Sequence, residues 1–379
     1  MHELFKAAVE RGASDIHIKA GDFMRARING VLQPLTQQKL TVEQVRDIAL
    51  QLIPHQEDKD NFDKILDYDC SWGIPGVGRF RVNIMKQRGS PMIVMRAIPI
   101  EIPSVEDLGL PPIINKIASA ERGMILVTGV TGSGKSSTMA AMINWINQNK
   151  QVHVVTLENP IEFLHRDNKS SITQRDIGTD TESFDTGLRS VLRQDPDVIL
   201  IGEMRDKVTI ETALKAAETG HLVISTLHTK NAVQTISRII AVFEPSEQEM
   251  IRVRLADSLQ AVVSQRLVQT KEGGRVAAME VMVMTSTIRD CVRDTDRMEE
   301  ISDLIEEGRE HYGSQSFDQH LMELVKSDLV QFDVAMAAAN NPADFDLKMN
   351  MFTDPRAAQA GAPPGTQGLA DEMTRMMEG

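Results

Sequence analysis

Residues 129–136 read Gly-Val-Thr-Gly-Ser-Gly-Lys-Ser, a glycine-spaced loop closed by a lysine and a hydroxyl. Glycines let successive backbone N–H groups curl around a small anion, and a helix starting at such a loop adds its positive end. The lysine reaches the outer oxygens of a polyphosphate, and the hydroxyl suits the oxygen shell of Mg²⁺. Gly129, Thr131, Gly132, Ser133, Gly134, Lys135, Ser136 and Ser137 are therefore candidates for holding a nucleoside triphosphate, with Ser136 a metal ligand. A second signal is Asp195-Pro-Asp-Val-Ile-Leu-Ile-Gly-Glu203, an apolar run ending in a carboxylate. On a strand beside the loop, Glu203 would stand next to the Mg²⁺, acting through water because Gly202 replaces the usual second acid. A third is Glu158-Asn-Pro-Ile-Glu162, again at the end of an apolar run. A carboxylate there can orient or deprotonate an attacking water. His221 and His228 flank one more apolar run, seven residues apart. That spacing does not fit a shared metal, and each alone reads as an ordinary structural histidine.

These groups meet only if several strands end at one edge of a sheet. From residue 124 onward short apolar runs (124–128, 152–157, 198–201 and 222–226) alternate with helical patterns, the mark of a parallel sheet covered on both faces. Ser246-Glu-Gln-Glu249 reads as a capping box opening a helix with Ile251, Leu255, Leu259 and Val262 on one face. After about 285 the pattern is helical to about 345, and 353–379 reads as a disordered tail. Residues 1–98 have a different texture, that of a small α+β unit. Helices are expected over 4–10 and 41–52, strands over 16–18, 24–28, 79–85 and 92–98, and a hairpin turn at Asn29-Gly30. Residues 99–112 hold four prolines and read as a linker.

Composition narrows the function classes. Lys and Arg number 41 against 54 Asp and Glu, a net charge of −13, so no global field holds a nucleic acid. Two Trp and two Tyr also leave few stacking platforms for single strands. Two distant cysteines, Cys70 and Cys291, exclude a four-cysteine zinc site and fit free thiols in a reducing compartment. The charged N-terminus lacks the apolar core of a signal peptide, and no apolar run approaches a membrane span. A soluble cytoplasmic protein without membrane insertion is expected.

Taken together, Ala13-Ser-Asp-Ile-His-Ile18, Gly78-Arg-Phe-Arg-Val-Asn83, the loop at 129–136, Glu158 to Phe163, Ile201-Gly-Glu-Met-Arg-Asp206 and Thr219 to His228 resemble the type IV pilus retraction ATPases, the PilT/PilU family of the secretion ATPase superfamily. The resemblance spans residues 1 to about 345. It implies an N-terminal PAS-like α+β domain (1–98), a linker (99–112), a RecA-like P-loop ATPase core (113–285) and a helical C-terminal region (286–352). It implies ATP and Mg²⁺ at the domain junction, Glu162 as catalytic base and Glu203 as the second-strand carboxylate on the metal. His221 and His228 would couple nucleotide state to domain movement, and Arg79, Arg81 and Arg96 would reach the phosphates. The implied assembly is a homo-hexamer at the cytoplasmic face of the inner membrane. It would contact the pilus platform protein, with a paralogous retraction ATPase as a further possible partner.

Two departures stand out. The family's acidic box usually reads Glu-Asp-Pro-Ile-Glu, and Asn159 here removes one charge beside Glu162. The usual Ala-Ile-Arg-Asn-Leu-Ile-Arg is replaced by Thr287-Ile-Arg-Asp-Cys-Val-Arg293, which keeps both arginines and alters their apolar neighbours. A slow accessory ring subunit is the alternative that Asn159 favours. A nucleic-acid translocase on the same core is the other, disfavoured by the charge.

Overall fold

Alternating apolar and polar residues build the first sheet. The computed structural model describes residues 2–99 and 101–353 and opens with helix α1 (His2–Glu10) and strands β1 (Ala13–Lys19), β2 (Arg25–Ile28) and β3 (Val31–Pro34). Asn29 and Gly30 join β2 to β3 with φ of 49° and 79°, the left-handed pair of a two-residue hairpin turn. Helix α2 (Val42–Leu52) starts on a capping box formed by Thr41 and Gln44. The short helix α3 (Gln56–Asp60) precedes β4 (Asp67–Ile74), β5 (Gly78–Gln87) and β6 (Ser90–Ala97). The six strands form an antiparallel sheet in the order β3-β2-β1-β6-β5-β4. Phe80, Val82 and Ile84 of β5 are buried with Phe5 of α1 and Val45 and Ile48 of α2. Arg27, Asp15, Arg96, Arg81 and Ser71 are successive cross-strand partners and form one polar row.

Residues 99–112 form no strand and no α-helix where described, but Val105 and Leu110 are buried with Ile114 and Ile117 of α4 (Ile113–Ala118). The second half of this proline-rich stretch is thus packed onto the second sheet. There the fully buried β7 (Gly123–Thr128) leads through the glycine loop into α5 (Lys135–Asn149). β8 (His153–Glu158), β9 (Ser171–Asp176), α6 (Phe184–Val191), β10 (Val198–Ile201), α7 (Lys207–Glu218), β11 (Leu222–Leu227), α8 (Ala232–Ile240) and α9 (Pro245–Ser258) follow. With β12 (Leu259–Gln269) and β13 (Arg275–Val283) the sheet has seven strands, ordered β13-β12-β7-β11-β10-β8-β9. All neighbours are parallel except β12 with β13. Alternate residues feed two cores. Leu126, Leu157, Ile199 and Val223 pack toward α6–α9, and Val127, Val154, Leu200 and Ile224 toward α4 and α5.

Three local expectations are corrected. The helix expected to carry Leu259 and Val262 ends at Ser258, and both residues lie on β12. The run Ala261-Val-Val263, with two β-branched valines and buried on both faces, suits a strand that happens to continue the helical spacing. The capping box of α9 is Glu244 with Glu247, not Ser246 with Glu249, because Pro245 fixes the first helical position. The strands β9, β12 and β13 had no expected counterpart. Beyond β13 come α10 (Ser286–Arg293), α11 (Glu300–Glu307), α12 (Arg309–Tyr312), α13 (Phe317–Lys326), α14 (Phe332–Ala338) and α15 (Pro342–Thr353), the helical stretch expected. Phe317 and Leu321 of α13 pack on Val276 and Ala278 of β13. The expected tail lies, past Thr353, outside the described residues. Cys70 and Cys291 are both free, and no helix among the described residues is long and apolar enough to cross a membrane.

Candidate functional site

The glycine loop is held from behind as well as by its own turns. Gly129 has φ 144°, and a Cβ there would lie 2.3 Å from the Gln265 carbonyl oxygen on β12, so only glycine fits this approach. The Gln265 side chain donates from Nε2 to the Ser133 carbonyl at 2.7 Å, while the Thr128 hydroxyl donates to Ser264 Oγ at 2.9 Å. Gly134, at φ 92°, turns the chain into α5, whose first residue is Lys135. The Lys135 ammonium is buried and donates to the carbonyls of Gly129 and Val130, both at 3.0 Å. Burial lowers its proton affinity, and the negative charges of Glu162 and Glu203 oppose that shift.

Thr131, Gly132, Gly134, Lys135, Ser136 and Ser137 line a cleft of about 500 Å³ whose other wall holds Glu158, Glu162, Glu203 and His228. That is the volume of an ordinary small-molecule site. Glu203 stands just past β10. Gly202 before it donates its N–H to the Leu157 carbonyl at 2.8 Å, and its carbonyl accepts from the Thr226 hydroxyl at 2.7 Å. The Glu203 carboxylate pairs with Arg205 at 2.7 Å and lies 3.7 Å from His228 Nε2. Glu158 ends β8. Burial pushes its carboxyl up, against the hydrogen bonds from Thr156 Oγ1 at 2.7 Å and Gln174 Nε2 at 3.1 Å. Glu162 is exposed, and its carboxylate has no hydrogen-bond or ion-pair partner among the described residues. His165 borders the same cleft, and burial holds it neutral with a pKa of about 4.

Not every expected residue arrives. Gly129 and Ser133 shape the loop from behind and do not line the cleft. His221 precedes β11 at the opposite end of the sheet from the loop, with Nδ1 2.9 Å from the Ala216 carbonyl at the end of α7. Arg79 donates to Asp176 at 2.9 Å and Arg96 to Asp15 at 3.0 Å, so neither is at the cleft. Arg81 borders a separate, smaller cavity with Asn159 and Asp176. The resemblance places the arginines at phosphates, whereas in this chain Arg79 and Arg96 are held by carboxylates on their own or the neighbouring sheet. Conversely, Gln174, Gln265, Thr226 and Arg205 brace the cleft and were not singled out. Only contacts between distant segments reveal the first three.

A backbone cradle with a buried ammonium faces a wall of three carboxyls, which suits a polyphosphate carrying a divalent cation. Among the described residues no group of three or more His, Cys, Asp or Glu forms a closed metal site. The metal would arrive with the nucleotide, and the Ser136 hydroxyl and Glu203 carboxylate are oxygen donors of the type Mg²⁺ takes.

Comparison with known proteins agrees with this chemistry. Residues 1–326 match the family described as Type II/IV secretion system protein. The type IV pilus retraction ATPase PilT of Pseudomonas aeruginosa is 41% identical over 90% of this chain and 99% of its own. The type IV pilus ATPase PilU of the same organism is 37% identical over 98% and 96%. The crystal structure of the pilus retraction motor PilT with bound ADP superposes with a TM-score of 0.82, at 42% identity over 91% of this chain and 98% of that one. The chain therefore belongs to the Type II/IV secretion system protein family and, within it, is an ATPase of the PilT/PilU group.

Proposed function

We propose that this chain is an ATP-hydrolysing motor of type IV pilus retraction, working as a hexameric ring on the cytoplasmic side of the inner membrane against the pilus platform protein. What carries it is the convergence of Lys135, Ser136, Glu162 and Glu203 on one cleft in a chain of this family. In this account residues 1–98 form a PAS-like domain and 113–285 a RecA-like core. The loop amides and Lys135 hold the β- and γ-phosphates, and Mg²⁺, held by Ser136 and Glu203, neutralises phosphate charge when bound. Glu162 orients a water and takes its proton as oxygen attacks the γ-phosphorus. The bond to the β-phosphate oxygen breaks, and the charge leaves on ADP. Lys135 exchanges its loop carbonyls for phosphate oxygens. His228, close to Glu203, is placed to sense whether that carboxylate is engaged. His221 has no part in this chain's own cleft. Of the three arginines, Arg81 alone has no hydrogen-bond or ion-pair partner among the described residues, so it is the one available to a neighbouring subunit's phosphates.

The test pairs hydrolysis with motility. Glu162→Gln should bind ATP like the parent, hydrolyse it roughly 10²–10⁴-fold more slowly, and fail to restore twitching to bacteria lacking this protein. Hydrolysis near the parent rate overturns the assignment of Glu162. Full hydrolysis by the parent with no effect on twitching overturns the pilus motor.

A further inference from the structure

Glu162 has the least support of the three carboxyls in the cleft. Its side chain is exposed and unpartnered, and it sits on the irregular segment between β8 and β9. A general base must be held within hydrogen-bond reach of its water, so something must fix this backbone. One side chain touches both flanks. Gln174, on the edge strand β9 opposite Thr156 of β8, donates from Nε2 to the Phe163 carbonyl at 2.9 Å and to Glu158 Oε1 at 3.1 Å. Its Oε1 accepts the His165 N–H at 2.8 Å. Glu158 in turn accepts the Glu162 N–H on Oε2 at 3.4 Å. Residues 158, 162, 163 and 165 are thereby tied, directly or through one carboxyl, to a single amide.

The geometry points to Gln174 as the positioning residue for Glu162 in ATP hydrolysis. The chemistry requires an amide here. A carboxylate of equal length accepts from His165 but cannot donate to Phe163, and it sets a second negative charge against the buried Glu158. An apolar side chain frees both flanks and leaves Glu158 with one donor fewer. Gln174 does not border the nucleotide cleft, so its loss should act on turnover and not on binding. This inference rests on Glu162 being the base, and the experiment separates the two.

Gln174→Met, of similar length, is compared with the parent and again in a Glu162→Gln background. kcat is followed by phosphate release, affinity by a fluorescent ADP derivative, and integrity by thermal melting. In the parent, Gln174→Met should lower kcat about ten- to a hundredfold, the scale of a misplaced catalytic group, with ADP affinity changed by less than about twofold. In the Glu162→Gln background the same change should have almost no further effect, since two residues acting as a unit are not additive. Equal losses in both backgrounds, or parallel loss of ADP affinity, overturn the positioning role while leaving Glu162 as base. A Glu162→Gln variant that hydrolyses like the parent overturns the base and this inference with it. Should Gln174→Met melt early, Gln174→Asn, which keeps the amide one methylene short, carries the same comparison.

Discussion

Asn159 lines the nucleotide cleft and also the small cavity shared with Arg81 and Asp176, so one neutral amide faces both halves of the molecule. Its neighbours Glu158 and Glu162 are both acidic. Asn159→Asp would add a negative charge beside Glu162, the base of the proposed function, raise its proton affinity and make it a stronger base. ATP turnover should rise a few-fold in a steady-state assay, and an unchanged or lower rate would show that the missing charge is no brake. At this scale the sequence was most legible where chemistry is contiguous. Lys135 and Ser136 follow their glycines directly and needed no fold to be recognised. Gln265 was invisible because its partner Ser133 is 132 residues away. Gln174 was hidden because Ser171-Ile-Thr-Gln-Arg-Asp176 holds a single apolar residue and gives no period to read.

Among the elements, α8 shows how a buried carboxyl can serve a helix start. Glu280 of β13 accepts the N–H of Ala232, the first residue of α8, at 2.8 Å. Burial pushes its pKa up to about 7, with the negative charge of Asp318 adding to the shift and the Ala232 N–H and Arg266 opposing it. The folded state then holds a proton that the unfolded chain has released, over the range from the ordinary carboxyl pKa of about 4.3 to about 7. Stability is therefore lost as pH rises through that window and stays lost above it. Glu280→Gln keeps an acceptor for Ala232 and removes the titration. It should melt above the parent at pH 8, by at most about 4 kcal/mol in stability, with the gap closing toward pH 5. Melting curves at the two pH values check this, and a gap that does not depend on pH would count against it. The parallel strands β7, β8, β10 and β11 were legible because burial on both faces leaves nearly unbroken apolar runs. β12 was mistaken for the end of a helix because its buried residues fill both periods at once.

For the whole molecule, the texture change near residue 124 announced two units, but nothing local announced how they touch. The contact is Asp176, buried at the end of β9, which accepts from the Ser71 hydroxyl and from Arg79 Nη2 at 2.9 Å. His55 Nε2 also lies 3.3 Å from the Gly178 carbonyl. Asp176→Ala would strand the half-buried Arg79 guanidinium and release the first sheet from the second. Cleavage after Glu101 by a glutamate-specific protease should accelerate several-fold, and an unchanged rate would mean that other contacts hold the two sheets together.

The place of Asp176 has a mechanical consequence. β9 runs parallel to β8 through six paired positions, from His153 opposite Ser171 to Glu158 opposite Asp176. A pull from the first sheet along the strand direction enters at the Asp176 end and loads these evenly spaced bonds in shear, all at once, instead of peeling them one by one. The rung at that end belongs to Glu158, four residues before Glu162, so tension carried by the Asp176 contact enters the strand pair at the rung that borders the nucleotide cleft.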